Sequence, residues 1–253
     1  MPRLDEIIAW LDDLLEPQAF SDYCPNGLQV PGPPEVERVV TGVSAGAGLF
    51  ERAAGLGADL VLVHHGLFWG SGPQALDPLA YRRLKLLIEG GMALAAYHLP
   101  LDAHPRVGNN ALLAEAIGGE AAGRFALHEG RPIGVVASFP GGISRAELVE
   151  RTTAAVGGRE PLVFPAGPDR VEHAGIVSGG GSSYLTDAVA TGLDAFITGE
   201  PAEQVMNQAN ESAITFVAAG HYATETFGVR RLGEMLAGQF GVTHEFVDLP
   251  NPV

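Results

Sequence analysis

Two adjacent histidines, His64 and His65, follow the apolar run 60–63 and precede Gly66, Phe68, Trp69 and Gly70. A strand leaving a core ordinarily turns polar through Gly, Asn, Asp or Ser. Two imidazoles there bring metal ligands or proton carriers to one place. Farther along, Ala95-Ala96-Tyr97-His98 is followed by Asp102, and Ala218-Ala219-Gly220-His221 by Glu225, so each of these histidines has a carboxylate four residues later. On a helix that spacing puts His221 and Glu225 on one face. Three or four imidazoles with two carboxylates suit a pair of divalent ions with mixed nitrogen and oxygen ligation: Zn, Fe, Mn, Ni or Co. The single cysteine, Cys24, excludes a cysteine cage and reads as a structural thiol. Adjacent strand residues face opposite ways, so His64 and His65 share a site only if the chain leaves the strand between them, which Gly66 permits. Taken singly, each histidine reads more simply as a satisfied core or surface residue, and His128, His173 and His244 belong to no such set. Asn109 or Asn110 reads as the cap of the following helix. The glycine-rich stretch 178–185 is either a phosphate-holding turn or a tight turn capped by Ser182 or Ser183.

The elements that must position these residues follow from periodicity. Leu4, Ile7, Ile8, Leu11, Leu14 and Leu15 give a helical period that Pro17 ends. After the turn-like "CPNGLQVPGPP", β-branched runs alternate with Ala/Leu-rich stretches. We read strands at 36–43, 59–64 and 92–97 and helices at 47–57, 78–89 and 108–117. Two strands flank "HEGRP" within 121–142, and 144–157 reads as a helix. Strands at 171–178, 194–198, 213–219 and 243–248 then alternate with helices at 182–191, 201–210 and 222–238. This βαβ succession predicts an α/β protein with largely parallel sheets flanked by helices. "VVTGVSAG…GLGADLVLVHHG" and "HAGIVSGGG…TGLDAFITGE" match in order, as do "AAYHLPLD" and "AAGHYATE", which favours a duplicated α/β unit. We place the first unit at 1–125 and the second at 126–253, with a metal site between them at strand carboxyl ends.

Thirty acidic residues against fourteen arginines and Lys85 give a net charge of −15, which argues against a nucleic-acid or anionic-membrane partner. No apolar run approaches the roughly 18 residues of a membrane span, and the opening stretch carries acids where a signal peptide has none. These features read as a cytoplasmic protein.

The strings "YCPNGLQVPG", "TGVSA", "GADLVLVHHGLFW", "YHLPLDAHPRVGNN", "SGGGSSYLTDAVATGLDAFITGE", "AAGHYATE" and "VDLPNPV" resemble, in order and spacing, the NIF-three-like proteins, also called the GTP cyclohydrolase I type 2 family, in their short bacterial form. The resemblance covers essentially the whole chain. It implies two similar α/β units around a dinuclear metal centre and a ring-like homohexamer. Carried over by residue, the metal ligands are His64, His65, Asp102, His221 and Glu225, with Glu225 bridging, and His98 lies beside the ions. Its position there makes His98 a candidate for proton transfer, against a structural role as a hydrogen-bond donor. The expected function is a metal-dependent hydrolase acting on a nucleotide-like small molecule, as in hydrolytic opening of the guanine imidazole ring. The competing expectation is a hexameric metal-binding regulatory or scaffold protein without turnover, linked to DNA repair.

Overall fold

The apolar period of the opening segment builds helix α1 (Leu4–Leu15), which buries Leu4, Ile7, Leu11 and Leu15 and ends at Glu16 in the left-handed region, φ 48°. The rest follows the alternation read from sequence. A computed structural model describes residues 1–70 and 75–253. Its next elements are β1 (Gly27–Val30), β2 (Arg38–Ser44), α2 (Ala47–Leu56), β3 (Leu60–His65), α3 (Pro78–Glu89), β4 (Ala93–Ala96) and α4 (Leu99–Ala103). Then come α5 (Asn109–Ala116), β5 (Glu120–His128), β6 (Arg131–Ser144), α6 (Arg145–Ala155), β7 (Leu162–Pro165) and β8 (Arg170–Val177). The chain closes with α7 (Leu185–Thr191), β9 (Ala195–Thr198), α8 (Val205–Ser212), β10 (Thr215–Ala218), α9 (His221–Thr224), α10 (Thr226–Phe240) and β11 (Thr243–Phe246).

The chain divides into one unit of Met1–Leu101 with Gly228–Leu249 and another of Asp102–Phe227 with Pro250–Val253. The division therefore falls inside α4 and not near residue 125, and the chain returns to the first unit because β11 completes its sheet. That sheet runs β1-β4-β3-β2-β11. Its β4–β3, β3–β2 and β2–β11 ladders are parallel, and only β1 is antiparallel. Its core gathers Val40, Val61, Val63, Leu94, Ala96 and Phe50. The second unit's sheet runs β5-β6-β8-β9-β10-β7. Only β8–β9 and β9–β10 are parallel in it. The remaining three ladders are antiparallel, so this sheet is mixed and not largely parallel. Its core gathers Leu113, Val135, Ile176, Ile197 and Val217.

Two strands escaped the sequence reading. β1 lies in the stretch read as a turn, and β7 in an unassigned one. Both are four-residue edge strands, β1 flanked by prolines and β7 ending on one, where the period-2 signal is too short to see and proline is tolerated. The single helix expected over 222–238 is two helices, α9 and α10, broken at Glu225.

One device recurs in both units. Asp59 Oδ2 accepts the backbone N–H groups of Glu37 (2.8 Å) and Arg38 (2.9 Å), and Asp194 Oδ2 accepts those of Glu172 (2.8 Å) and His173 (3.0 Å). Each carboxylate thereby pins the start of one strand to the start of the next.

Candidate metal centre

In the first unit, three histidines meet where β3 and β4 end. One ligand nitrogen from each of His64, His65 and His98 lies within 4.8 Å of the others. His64 and His65 both remain in β3, their ring centroids 4.7 Å apart, so the chain need not leave the strand between them. It leaves after His65, the strand's last residue. Gly66 then passes so close to Gln29 that a Cβ there would stand 2.2 Å from Gln29 Nε2. Gln29 in turn accepts the Leu67 N–H at 2.8 Å.

Hydrogen bonds fix which nitrogen two of these rings, His64 and His98, offer. His64 is fully buried, and its Nδ1 lies 3.0 Å from the Tyr97 carbonyl oxygen. A carbonyl only accepts, so Nδ1 carries the proton and neutral His64 presents Nε2 as its lone-pair nitrogen. His98 Nδ1 lies 2.9 Å from Asp22 Oδ1. Burial disfavours the Asp22 charge, but the hydrogen bond and charge of His98, with the Cys24 N–H and the Asn26 amide, outweigh it and hold the carboxyl at about 2. An ionised carboxylate also only accepts, so His98 presents Nε2 as well. Loop 22–26 wraps this histidine further: Asn26 Oδ1 accepts the His98 N–H at 2.7 Å, and Asp22 Oδ2 accepts the Leu99 N–H at 2.9 Å. His65 Nδ1 pairs with Ser44 Oγ at 3.0 Å.

The second unit has its own candidate donors, Asp102, His221 and Glu225. Asp102, buried in α4, accepts from Asn109 Nδ2 at 2.8 Å and from Ser178 Oγ at 3.1 Å through one oxygen, Oδ1. Asn109 and Asn110 therefore do not cap α5, whose cap residue is Gly108. Both are buried, and Asn110 links the Ile133 carbonyl (2.8 Å) to the Ser178 N–H (2.7 Å).

His221 opens α9 after Gly220, which sits at φ 101°. Its Nδ1 pairs with Glu200 Oε1, and its Nε2 lies 3.2 Å from Glu225 Oε2, as the spacing of four predicts. Burial works against charge on this imidazole, but Glu225 and Glu200 outweigh it and raise it to about 9. Glu225 is 2% exposed and sits between α9 and α10. A Cβ on Gly179, at φ +62°, would stand 2.0 Å from Glu225 Oε1, so only glycine allows the carboxylate this approach. Two amides of the glycine-rich turn are bonded internally. The Gly179 N–H donates to Thr224 Oγ1 at 3.0 Å and the Gly181 N–H to Thr198 Oγ1 at 3.1 Å. These two amides thereby tie the turn to β9 and α9. Neither Ser182 nor Ser183 caps it through a side chain.

Asp22 and Asn26 orient His98, Ser178 orients Asp102 and Glu200 orients His221; the sequence reading does not include these four as orienting groups. A signal existed for Glu200, because it lies six residues after Asp194 as His65 lies six after Asp59, at the end of the matching strand. Three other histidines are bound structurally: His244 to Thr41 Oγ1 (2.8 Å), His128 to the Tyr184 hydroxyl (3.1 Å), and His104 Nδ1 to the Val107 N–H (3.1 Å). Cys24 sits in the first core, where burial pushes its thiol up to about 11. Among the described residues no helix is long and apolar enough to cross a membrane.

Mixed imidazole and carboxylate donors, with ring protons held at Nδ1 by fixed acceptors, are the chemistry that divalent transition ions select. Comparison with known proteins identifies the family. The profile of the family described as Duf34/NIF3 (NGG1p interacting factor 3) matches residues 2–252. A Pseudomonas aeruginosa protein named GTP cyclohydrolase 1 type 2 homolog is 42% identical over 249 residues, covering 98% of each chain. One of the same name from Vibrio cholerae is 44% identical over 252 residues, again covering 98% of each. Among solved structures, the structural-genomics protein ybgI, of unknown function, superposes with TM-score 0.93 at 39% identity over 100% of both chains. A protein from Thermus thermophilus gives 0.87 at 36% identity, also over 100% of both.

Proposed function

The chain belongs to the Duf34/NIF3 family, and from that premise we propose that it binds two divalent metal ions and hydrolyses a nucleotide-like small molecule. The observation that carries this reading is the histidine triplet of the first unit, two of whose rings are held by obligate acceptors so that Nε2 is the nitrogen on offer. The proposed ligands are His64, His65, Asp102, His221 and Glu225, with Glu225 bridging the ions. The family names support a nucleotide as the substrate class. We also propose a cytoplasmic homohexamer.

Bound divalent ions would supply Lewis acidity and a water acidic enough to give up a proton near neutral pH. The chain's own residues do the rest. Asp22 keeps the His98 proton on Nδ1, so Nε2 is free of it and can accept the proton lost by the attacking water; the Asp22 carboxylate then steadies the resulting imidazolium. Asn109 and Ser178 hold Asp102, and Glu200 holds His221, so ligands need little reordering on binding.

The grouping of His98 with His64 and His65 favours a second role for the same ring, ligation. Elemental analysis of purified variants, with a turnover screen of GTP and related phosphoesters, separates the two. His65→Ala is expected to lose metal and turnover together. His98→Ala is expected to keep metal and lose about a hundredfold or more in rate. If His98→Ala empties the site as His65→Ala does, His98 is a ligand. A wild-type protein that holds metal but turns over none of these substrates would defeat the hydrolase reading.

A further inference from the structure

Beside the histidine triplet stand two aromatic rings that the metal reading does not use. Tyr23, 53% exposed, and Trp69, half-buried, have centroids 5.8 Å apart with planes tilted by only 32°. Tyr23 lies 5.2 Å and Trp69 5.3 Å from the His98 ring, and Trp69 lies 5.8 Å from that of His65. An exposed tyrosine alone is ordinary. Here, however, the two rings are built in. Trp69 packs on the first unit's core and donates its indole N–H to the Gly66 carbonyl at 3.0 Å. The Gly70 N–H donates to the Tyr23 carbonyl at 2.6 Å, tying the two ring-bearing loops together. Tyr23 also directly follows Asp22, the carboxylate that orients His98. The loop that aims the imidazole therefore also sets the tyrosine.

Two neighbouring π-faces rimmed by imidazoles suit a flat ring that carries its own nitrogens. Such a ring stacks on the aromatic faces while its edge reaches the histidines. An alkyl chain would leave the imidazoles unused, and a sugar ring has no π-face to offer the aromatic pair. We propose that Tyr23 and Trp69 form a stacking shelf for a planar heterocycle of the nucleobase class, which sets the ring to be attacked against His98 and His65. The purpose of the shelf rests on the hydrolase reading, but its geometry lies wholly within the first unit and can be tested apart from it.

The test is calorimetric titration of the full chain with guanosine and, separately, with inorganic tripolyphosphate, before and after removal of metal by a chelator. Guanosine is expected to bind in both states. Tyr23→Ala and Trp69→Leu should each weaken it about tenfold, and Trp69→Phe, which keeps a stacking face, by no more than about twofold. Tripolyphosphate binding to the metal-loaded protein should be the same in all three variants, which also shows that they fold. Guanosine binding that is absent from the wild type, or equal in wild type, Tyr23→Ala and Trp69→Leu, overturns the shelf. Failure of the metal reading looks different: tripolyphosphate binding would not respond to the chelator, while guanosine binding would persist.

Discussion

Strand for strand, β2, β3 and β4 of the first unit answer to β8, β9 and β10 of the second. Asp59 N–H donates to the Arg38 carbonyl and Ala93 N–H to that of Asp59; Asp194 N–H donates to the His173 carbonyl and Thr215 N–H to that of Asp194. Set by this frame, Gly42 pairs with Val63 and Val63 with Ala96, as Val177 pairs with Thr198 and Thr198 with Ala218. Counting outward, Ser44 matches Gly179, the pair His64-His65 matches Gly199-Glu200, and His98 matches Gly220 while His221 comes one residue later. The Val-Ser and Ala-Ala-x-His strings that suggested the repeat are therefore each one residue out of step with the strands. The frame is repeated, but the chemistry on it is not. The first unit's strand ends carry imidazoles and the second's carry a carboxylate and a glycine. An extra residue, Gly220 at φ +101°, lets His221 open a helix.

The sharpest break of this comparison is at the matched pair Ser44 and Gly179. Where the first unit has a hydroxyl bonded to His65, the second has bare backbone against the Glu225 carboxylate. Gly179→Ala drives a Cβ to 2.0 Å from Oε1, so the carboxylate must move. Elemental analysis should show bound metal falling at least as far as in Glu225→Gln. Two controls should keep theirs: His104→Ala, and Gly192→Ala, which shares a left-handed φ of +76° but has open space around it and costs only about 1 kcal/mol in stability. Wild-type metal content in Gly179→Ala would mean that this close approach does not fix Glu225.

The repeated frame itself predicts equality. Asp59 and Asp194 each accept two backbone N–H groups. Each replacement by alanine should therefore cost about 3 kcal/mol, since hydrogen bonds to charged groups are worth ~1.5–3 kcal/mol each and both carboxylates are partly solvated. Urea denaturation of the two variants should give losses within about 0.5 kcal/mol of each other. A twofold difference would show that the shared geometry does not carry shared energetics.

The positions of these frame strands were legible in the sequence because each is an unbroken apolar or β-branched run set between Ala/Leu-rich helical stretches, even where, as in β4, β9 and β10, it is only four residues long. So was the pairing of His221 with Glu225, which needs only one helical turn. What the sequence could not display is the set of groups that orient the candidate site's side chains. Asp22 reaches His98 across 76 residues and Ser178 reaches Asp102 across 76, and no local pattern encodes such contacts. Asn109 looked like a cap because asparagine before a helix usually is one. Its burial and its bond to Asp102 appear only once β8 and α4 are in place. The extent of parallel pairing in the second sheet was overread for a related reason, since βαβ alternation says nothing about antiparallel strands added at the edges.

The last contrast concerns how each unit orients a histidine with a carboxylate. Asp22 does so at 3% side-chain exposure and Glu200 at 37%. The two should differ in what they contribute to stability. Asp22 is held at about 2, against 3.8 for an unperturbed carboxyl. A carboxyl depressed in the folded state stabilises the fold above its unfolded value and loses that contribution as pH falls through the folded one. The difference corresponds to about 2 kcal/mol at neutral pH. For chelator-treated protein, urea midpoints should show Asp22→Asn less stable than wild type by about that amount near pH 6. The gap should begin to close below about pH 4 and should shrink steadily toward pH 3, because protonated Asp22 and asparagine make similar demands on His98. Glu200→Gln should cost less at every pH, since solvent already screens that carboxylate. A gap for Asp22→Asn that stays constant from pH 6 to pH 3 would show that its charge is not what the fold draws on, and equal losses for the two variants would erase the distinction between a buried and an exposed orienting carboxylate.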